Sequence, residues 1–83
     1  MSTKLFVGSL PWKVNDNSLR KTFEKFGNVI SAKVVMDKQS GRSRGFGFVE
    51  MENETEAQNA ITNLNGTAIE GRNIVVSEAK PKS

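Results

Sequence analysis

Residues 44–51 read Arg44-Gly45-Phe46-Gly47-Phe48-Val49-Glu50-Met51. Phe46, Phe48 and Glu50 alternate with Gly47, Val49 and Met51, and a two-residue period is that of a strand with one face turned each way. Val49 and Met51 suit a core. Phe46 and Phe48 then face away from it. Leu5-Phe6-Val7 repeats the arrangement near the N-terminus, with Leu5 and Val7 on one face and Phe6 on the other. The apolar stretch from Leu5 to Leu10, bounded by Pro11, predicts the first strand.

Working outward, a helix follows the first strand. Asn15 is placed to cap it, with Val14 before the cap and Leu19 inside as a hydrophobic staple. Leu19, Phe23 and Phe26 recur at helical spacing, and Gly27 is expected to stop the helix in a left-handed conformation. Val29 to Met36 reads as a second strand, with Ala32 and Val34 separated by Ser31 and Lys33. Asp37 to Ser43 is a polar, glycine-containing loop. After the third strand, Asn53 and Glu56 are spaced as a capping box, and Ala57, Ala60, Ile61 and Leu64 form the inner stripe of a helix ending at Asn65-Gly66. Arg72 to Ser77 is expected to be the last strand, with Ile74 and Val76 inward. The order β-α-β-β-α-β predicts an α+β, ferredoxin-like fold, a four-stranded antiparallel sheet with both helices on one face. The other face is open, and parity from Leu5, Val7, Val49 and Val76 puts Phe6, Phe46 and Phe48 on it. Three aromatics shown to water cost solubility unless something stacks on them.

Composition narrows the function. Eighty-three residues suffice for one domain, whose core is expected over about residues 4–79 with a short basic tail at 80–83. Hydrophobic residues at 36% and charged residues at 25% argue against disorder and against membrane insertion. With no cysteine and no histidine, the commonest nucleophile-activating base and the commonest metal ligands are missing, and neither an enzyme nor a cofactor is expected. Twelve Lys and Arg against nine Asp and Glu leave +3. Lys38, Arg42 and Arg44 gather around Gly41, and Lys80 and Lys82 close the chain, a distribution suited to a polyanion. No signal-peptide pattern opens the chain at Met1, so an intracellular protein is expected, cytoplasmic in a bacterium, nuclear or organellar in a eukaryote.

The stretch 44–51 resembles the longer signature of the RNA recognition motif, Lys/Arg-Gly-Phe/Tyr-Gly/Ala-Phe-Val-x-Phe/Tyr, departing only at Met51, a core-facing position where a thioether fills an aromatic's space. Leu5-Phe6-Val7-Gly8-Ser9-Leu10 is similar to the shorter signature, with Ser9 where asparagine is usual, at a turn. Phe23-x-x-Phe26-Gly27 and Leu64-Asn65-Gly66 also look like the family, and the likeness runs from about Lys4 to Ala79. It implies that Phe6 and Phe48 each stack under a base, that Phe46 packs on sugars and that Arg44 pairs with a phosphate. Around them Lys4, Lys33 and Arg42 are candidate phosphate contacts, and Asn73, Val75 and Ser77 candidate contacts to base edges. Ala79 and Lys80 are candidates through their backbone, because the family's last segment often crosses the sheet. Single-stranded RNA is the expected ligand, with some single-stranded DNA tolerated, bound by a monomer in post-transcriptional regulation or RNA chaperoning. The chain resembles small stand-alone members from bacteria and organelles, although an excised domain would read the same.

Plainer readings compete. One exposed phenylalanine on a strand is most simply half of a cross-strand pair; three beside a basic loop favour stacking. Gly45 and Gly47 lie inside a strand with no phosphate-binding lysine after them, so they serve close approach of backbone or ligand. Trp12 either caps the core edge or reaches ligand, the former being favoured. The acids from Glu50 to Glu56 read as a solvated edge plus charges favoured at a helix N-terminus. Lys13, Lys21 and Lys25 read as a solvated helix face. The rival function is a peptide-binding domain on the same fold, which would be expected to lack the sheet aromatics.

Overall fold

Both helices begin where an asparagine can satisfy the backbone donors that a first turn leaves over. In the computed structural model, which describes residues 2–11, 13–41, 43–69 and 71–79 with only the backbone of Ser43 and Arg44, Asn15 Oδ1 accepts the Ser18 N–H at 2.8 Å. Asn53 Oδ1 accepts the N–H groups of Thr55 and Glu56 at 2.8 and 3.2 Å. The elements run β1 (Thr3–Gly8), α1 (Asp16–Glu24), β2 (Val29–Met36), β3 (Ser43–Met51), α2 (Glu54–Leu64), β4 (Ala68–Ile69), β5 (Arg72–Asn73) and β6 (Val75–Glu78). The main sheet is antiparallel with order β2-β3-β1-β6, as the ferredoxin-like reading requires.

Three local expectations change. The last strand is not continuous from Arg72 to Ser77. Ile74 is held by the loop after α2, donating to the Thr67 carbonyl at 2.9 Å and accepting from Gly66 at 2.8 Å. That detour sinks Ile74 completely into the core and leaves Arg72 and Asn73 to pair with Ile69 and Ala68 in a separate hairpin. Gly27 is not a left-handed stop either. The helix end tightens through a bond from the Phe26 N–H to the Phe23 carbonyl, Lys25 stays right-handed, and Gly27's φ of +159° lies far from the left-handed well. Glycine is needed there because a Cβ would run into the Glu56 side chain. Glu56 explains the third change. Only half of the capping box forms, since its carboxylate accepts the Asn28 N–H at 3.3 Å and so ties α2 to the turn before β2.

The core fills the space between helices and sheet. Leu5, Val7, Val49, Met51 and Val76 come from the strands, Leu19 and Phe23 from α1, and Ala57, Ala60 and Leu64 from α2. Met51 is fully buried, as its parity predicts. Phe26 packs at the rim, partly buried. Gly47 sets how closely β2 and α1 approach β3. A Cβ there would lie 2.5 Å from the Lys33 carbonyl oxygen and 3.3 Å from Leu19 Cδ2. The sheet's two edges are blunted by side chains. Asp16 Oδ1 accepts the Val34 N–H of β2 at 2.7 Å, and Asn65 Oδ1 the Val76 N–H of β6 at 3.1 Å, occupying groups that would otherwise template another strand. No helix among the described residues is long and apolar enough to cross a membrane.

Candidate nucleic-acid interface

With both helices on one side, the opposite face of the sheet is uncovered, and the β1–β3 register assembles its centre. Phe6 lies opposite Phe48, and Phe46 opposite Gly8. All three rings are half-buried. Their centroids form a triangle: Phe6 to Phe46 is 5.9 Å with planes 30° apart, Phe6 to Phe48 is 5.9 Å and Phe46 to Phe48 is 6.3 Å, the last two edge-on. These are separations at which rings attract one another. Gly8 makes the tight grouping feasible, because the Phe6 ring leans over it so closely that a Cβ would sit 2.9 Å from Cε2. The rings therefore brace one another at their edges while each keeps surface toward solvent. Cross-strand packing of the rings and their display toward solvent are here the same arrangement.

The polar surround is only partly as expected. Lys4 and Lys33 are exposed, Lys33 opposite Phe48 on β2, and the Lys4 ammonium lies 6.0 Å from the Phe48 ring centre. Ser77 stands exposed beside Phe6, and Val75 beside Gly8 with 47% of its surface free. Asn73 is exposed but belongs to the β4–β5 hairpin rather than to the main sheet, so it is not in line with Val75 and Ser77. Ala79 extends the β6 pairing by donating to the Lys4 carbonyl at 2.9 Å, so a ligand meeting this backbone finds the carbonyl and not the N–H. The Arg44 backbone lies in β3, where the pairing shifts from Val34–Gly47 to Met36–Ser43. Its side chain, together with Arg42, Trp12, Lys80 and the rest of the tail, falls outside the described residues.

Glu50 is the residue that the reading of the acidic run misplaced. Glu54 and Glu56 do occupy the first turn of α2, but Glu50 sits on the open face, half-buried, two positions from Phe48. The Ser2 hydroxyl donates to its carboxylate at 2.5 Å. Together with Lys4, Phe48, Glu78 and Ala79 they line an open hollow of about 570 Å³ at one end of the aromatic triangle. The two-residue spacing of Glu50 from Phe48, and of Phe48 from Phe46, was the signal that it shares their face.

Known proteins resemble this chain in sequence and in fold. The family model for the RNA recognition motif matches residues 5–75. The chain is 49% identical over 82 residues to glycine-rich RNA-binding protein 2, mitochondrial, of Arabidopsis thaliana, covering 99% of this chain and 52% of that protein. It superposes on the crystal structure of RNA-binding protein PG1 with a TM-score of 0.92 at 41% identity, each chain covered to 98%. On the SXL-lethal protein–RNA complex the TM-score is 0.91 at 31% identity, over 100% of this chain and 50% of that one. The chain spans 26% of the length of the 31 kDa chloroplastic ribonucleoprotein of Nicotiana sylvestris and 61% of that of glycine-rich RNA-binding protein 4, mitochondrial, of Arabidopsis thaliana. Two signatures on adjacent central strands and a family match over residues 5–75 make this chain a member of the RNA recognition motif family.

Proposed function

We propose that this chain binds single-stranded RNA on the open sheet face, Phe6 and Phe48 each stacking under a base and Phe46 packing against the sugars between them. The observation that carries the reading is the Phe6–Phe46–Phe48 triangle, held on the one face of the sheet that no helix covers. Every base has a π-face, and stacking on an aromatic contributes about 1–3 kcal/mol per base. Lys4, Lys33, Arg42 and Arg44 supply the cations a phosphate backbone requires, Val75, Ser77 and Ala79 border the platform's far edge, and Lys80, next in sequence, adds a contact through its backbone. Asn73 joins only through ligand that reaches the hairpin. Single-stranded DNA binds the same platform less tightly, because stacking does not distinguish the sugars whereas contacts to the 2′-hydroxyl do. The chain acts as a monomeric binding module without catalysis, one domain with its core at about 4–79, in post-transcriptional regulation or RNA chaperoning. An intracellular, organellar setting is supported by the mitochondrial relative.

Titration with pools of short single-stranded RNA, followed by amide NMR shifts, tests the reading. Wild type is expected to shift around Phe6, Phe46 and Phe48 and to bind less tightly as salt rises. Phe46→Ala with Phe48→Ala should abolish measurable binding while the amide spectrum stays dispersed. A folded wild type that binds no pool overturns the reading in favour of a peptide ligand.

A further inference from the structure

The four strands of the main sheet carry two acids, Glu50 and Glu78, and both border the hollow beside Phe48. Glu78 pairs across with the core residue Leu5, and its carboxylate is met on the helix side by Gln58 Nε2 of α2 at 3.3 Å. Glu50 stands beside Phe48 on the open face. A carboxylate on a surface that receives a polyanion repels phosphate, so its presence there calls for a compensating contact. Lys4 lies directly opposite Glu50 in the register, yet among the described residues no cation forms an ion pair with it, and the Lys4 ammonium extends over Phe48 instead. The Ser2 hydroxyl occupies one position on Oε2. A carboxylate has about four acceptor positions, so most of its capacity stays open toward the hollow.

Building on the RNA-binding reading, we infer that Glu50 and Lys4 form a guanine-selective subsite at the Phe48 end of the platform. Residues two apart on a strand are separated by about 7 Å on one face, so a base lying on the Phe48 ring turns an edge toward Glu50. Side by side, the Lys4 ammonium offers donors and the two Glu50 carboxylate oxygens offer acceptors. In a single strand the Watson–Crick edge is free to be read. Guanine presents there an acceptor, O6, followed by two adjacent donors, N1–H and the N2 amino group, which complements the pair at each position. Uracil presents one donor between two carbonyl oxygens, and those oxygens face the carboxylate unfavourably. Adenine and cytosine each present one amino group beside a ring nitrogen that only accepts. Guanine alone satisfies both carboxylate oxygens while giving Lys4 an acceptor.

The test is affinity for short oligouridines carrying one guanine, one inosine, one adenine or no substitution, measured on wild type and on Glu50→Gln. Inosine keeps O6 and N1–H but lacks the amino group. Wild type is expected to favour the guanine oligonucleotide over the unsubstituted one by about tenfold, with inosine between them. Glu50→Gln, matched in shape, should remove that preference and keep binding to the unsubstituted oligonucleotide. Equal affinity of wild type for all four overturns the inference and leaves the RNA-binding reading standing. So does a guanine preference that survives in Glu50→Gln, or a uniform rise in affinity in that variant, which would make Glu50 simply repulsive. A folded wild type that binds none of the four overturns both.

Discussion

Phe23 and Phe48 are the same side chain on opposite sides of one sheet. Phe23 has no exposed surface and is enclosed by strands and helices; Phe48 is half-buried on the uncovered face, with two other rings packed against it. The difference teaches that strand parity writes two separate functions on alternate residues. Along β3, Gly47, Val49 and Met51 hold the fold together, while Phe46, Phe48 and Glu50 build a surface. On the proposed RNA-binding reading, stability and binding are therefore separable by mutation.

The largest expected effect tests that separation directly. Phe23→Ala should cost about 3–5 kcal/mol of stability through lost burial and an unfilled cavity. Phe48→Ala deletes the same ring from the open side and should cost less, about 1–3 kcal/mol, the worth of two ring–ring contacts at about 0.5–1.5 kcal/mol each. Denaturant unfolding of both variants measures the contrast. Equal losses would mean that the aromatic triangle is as much core as Phe23, and the separation of the faces would fail.

The glycines sharpen the comparison, since one faces each way. Gly47→Ala drives a methyl group toward the Lys33 carbonyl and the Val34 Cα, backbone atoms that cannot move aside without parting β2 from β3. A loss of about 1–3 kcal/mol in stability is expected. Gly8→Ala meets only the Phe6 ring edge, which can rotate away. That variant should unfold near the wild-type midpoint yet bind RNA more weakly, because the displaced ring no longer lies flat beside Phe46. Unfolding curves and an RNA titration on each protein decide the matter, and an unfolding loss at Gly8 equal to that at Gly47 would contradict it.

How much of this was legible beforehand follows from the range over which each feature is determined. The helices were readable because caps and stripes are local: Asn15 and Asn53 act within three residues, and Leu19 and Phe23 repeat at one helical turn. The aromatic face was readable because parity is local too. The break at Ile74 was not, because Arg72 to Ser77 keeps its alternation straight through it. What removes Arg72 and Asn73 from the main sheet is a pair of bonds between Ile74 and residues 66 and 67. Only Gly71, following Ile69 at hairpin spacing and standing at φ +81°, hinted at the turn. Glu56 shows the same limit. Its spacing from Asn53 fits a capping box, but a neighbour 28 residues away in sequence, Asn28, takes its carboxylate. Glu50 carried two signals, its place at the head of the acidic run and the strand parity it shares with Phe46 and Phe48, and the second is the one that locates it.

The smallest expected effect concerns the seam between the two faces. Where β1 ends, the chain turns at Ser9, the one described residue other than glycine with positive φ, at +58°. That is the left-handed region, in which a Cβ crowds the carbonyl and which asparagine tolerates better than serine. Ser9 is exposed, so an asparagine side chain meets no packing obstacle. Ser9→Asn should therefore stabilise the domain by about 0.5 kcal/mol, a fraction of the strain carried by a non-glycine residue held there. In thermal unfolding this corresponds to a rise of about 2–4 °C. The turn lies beyond Gly8, past the end of the aromatic triangle, so RNA affinity should be unchanged. A gain in stability accompanied by a loss of binding would show that the turn itself orients Phe6, and that the two faces are coupled at the point where the first strand leaves the sheet.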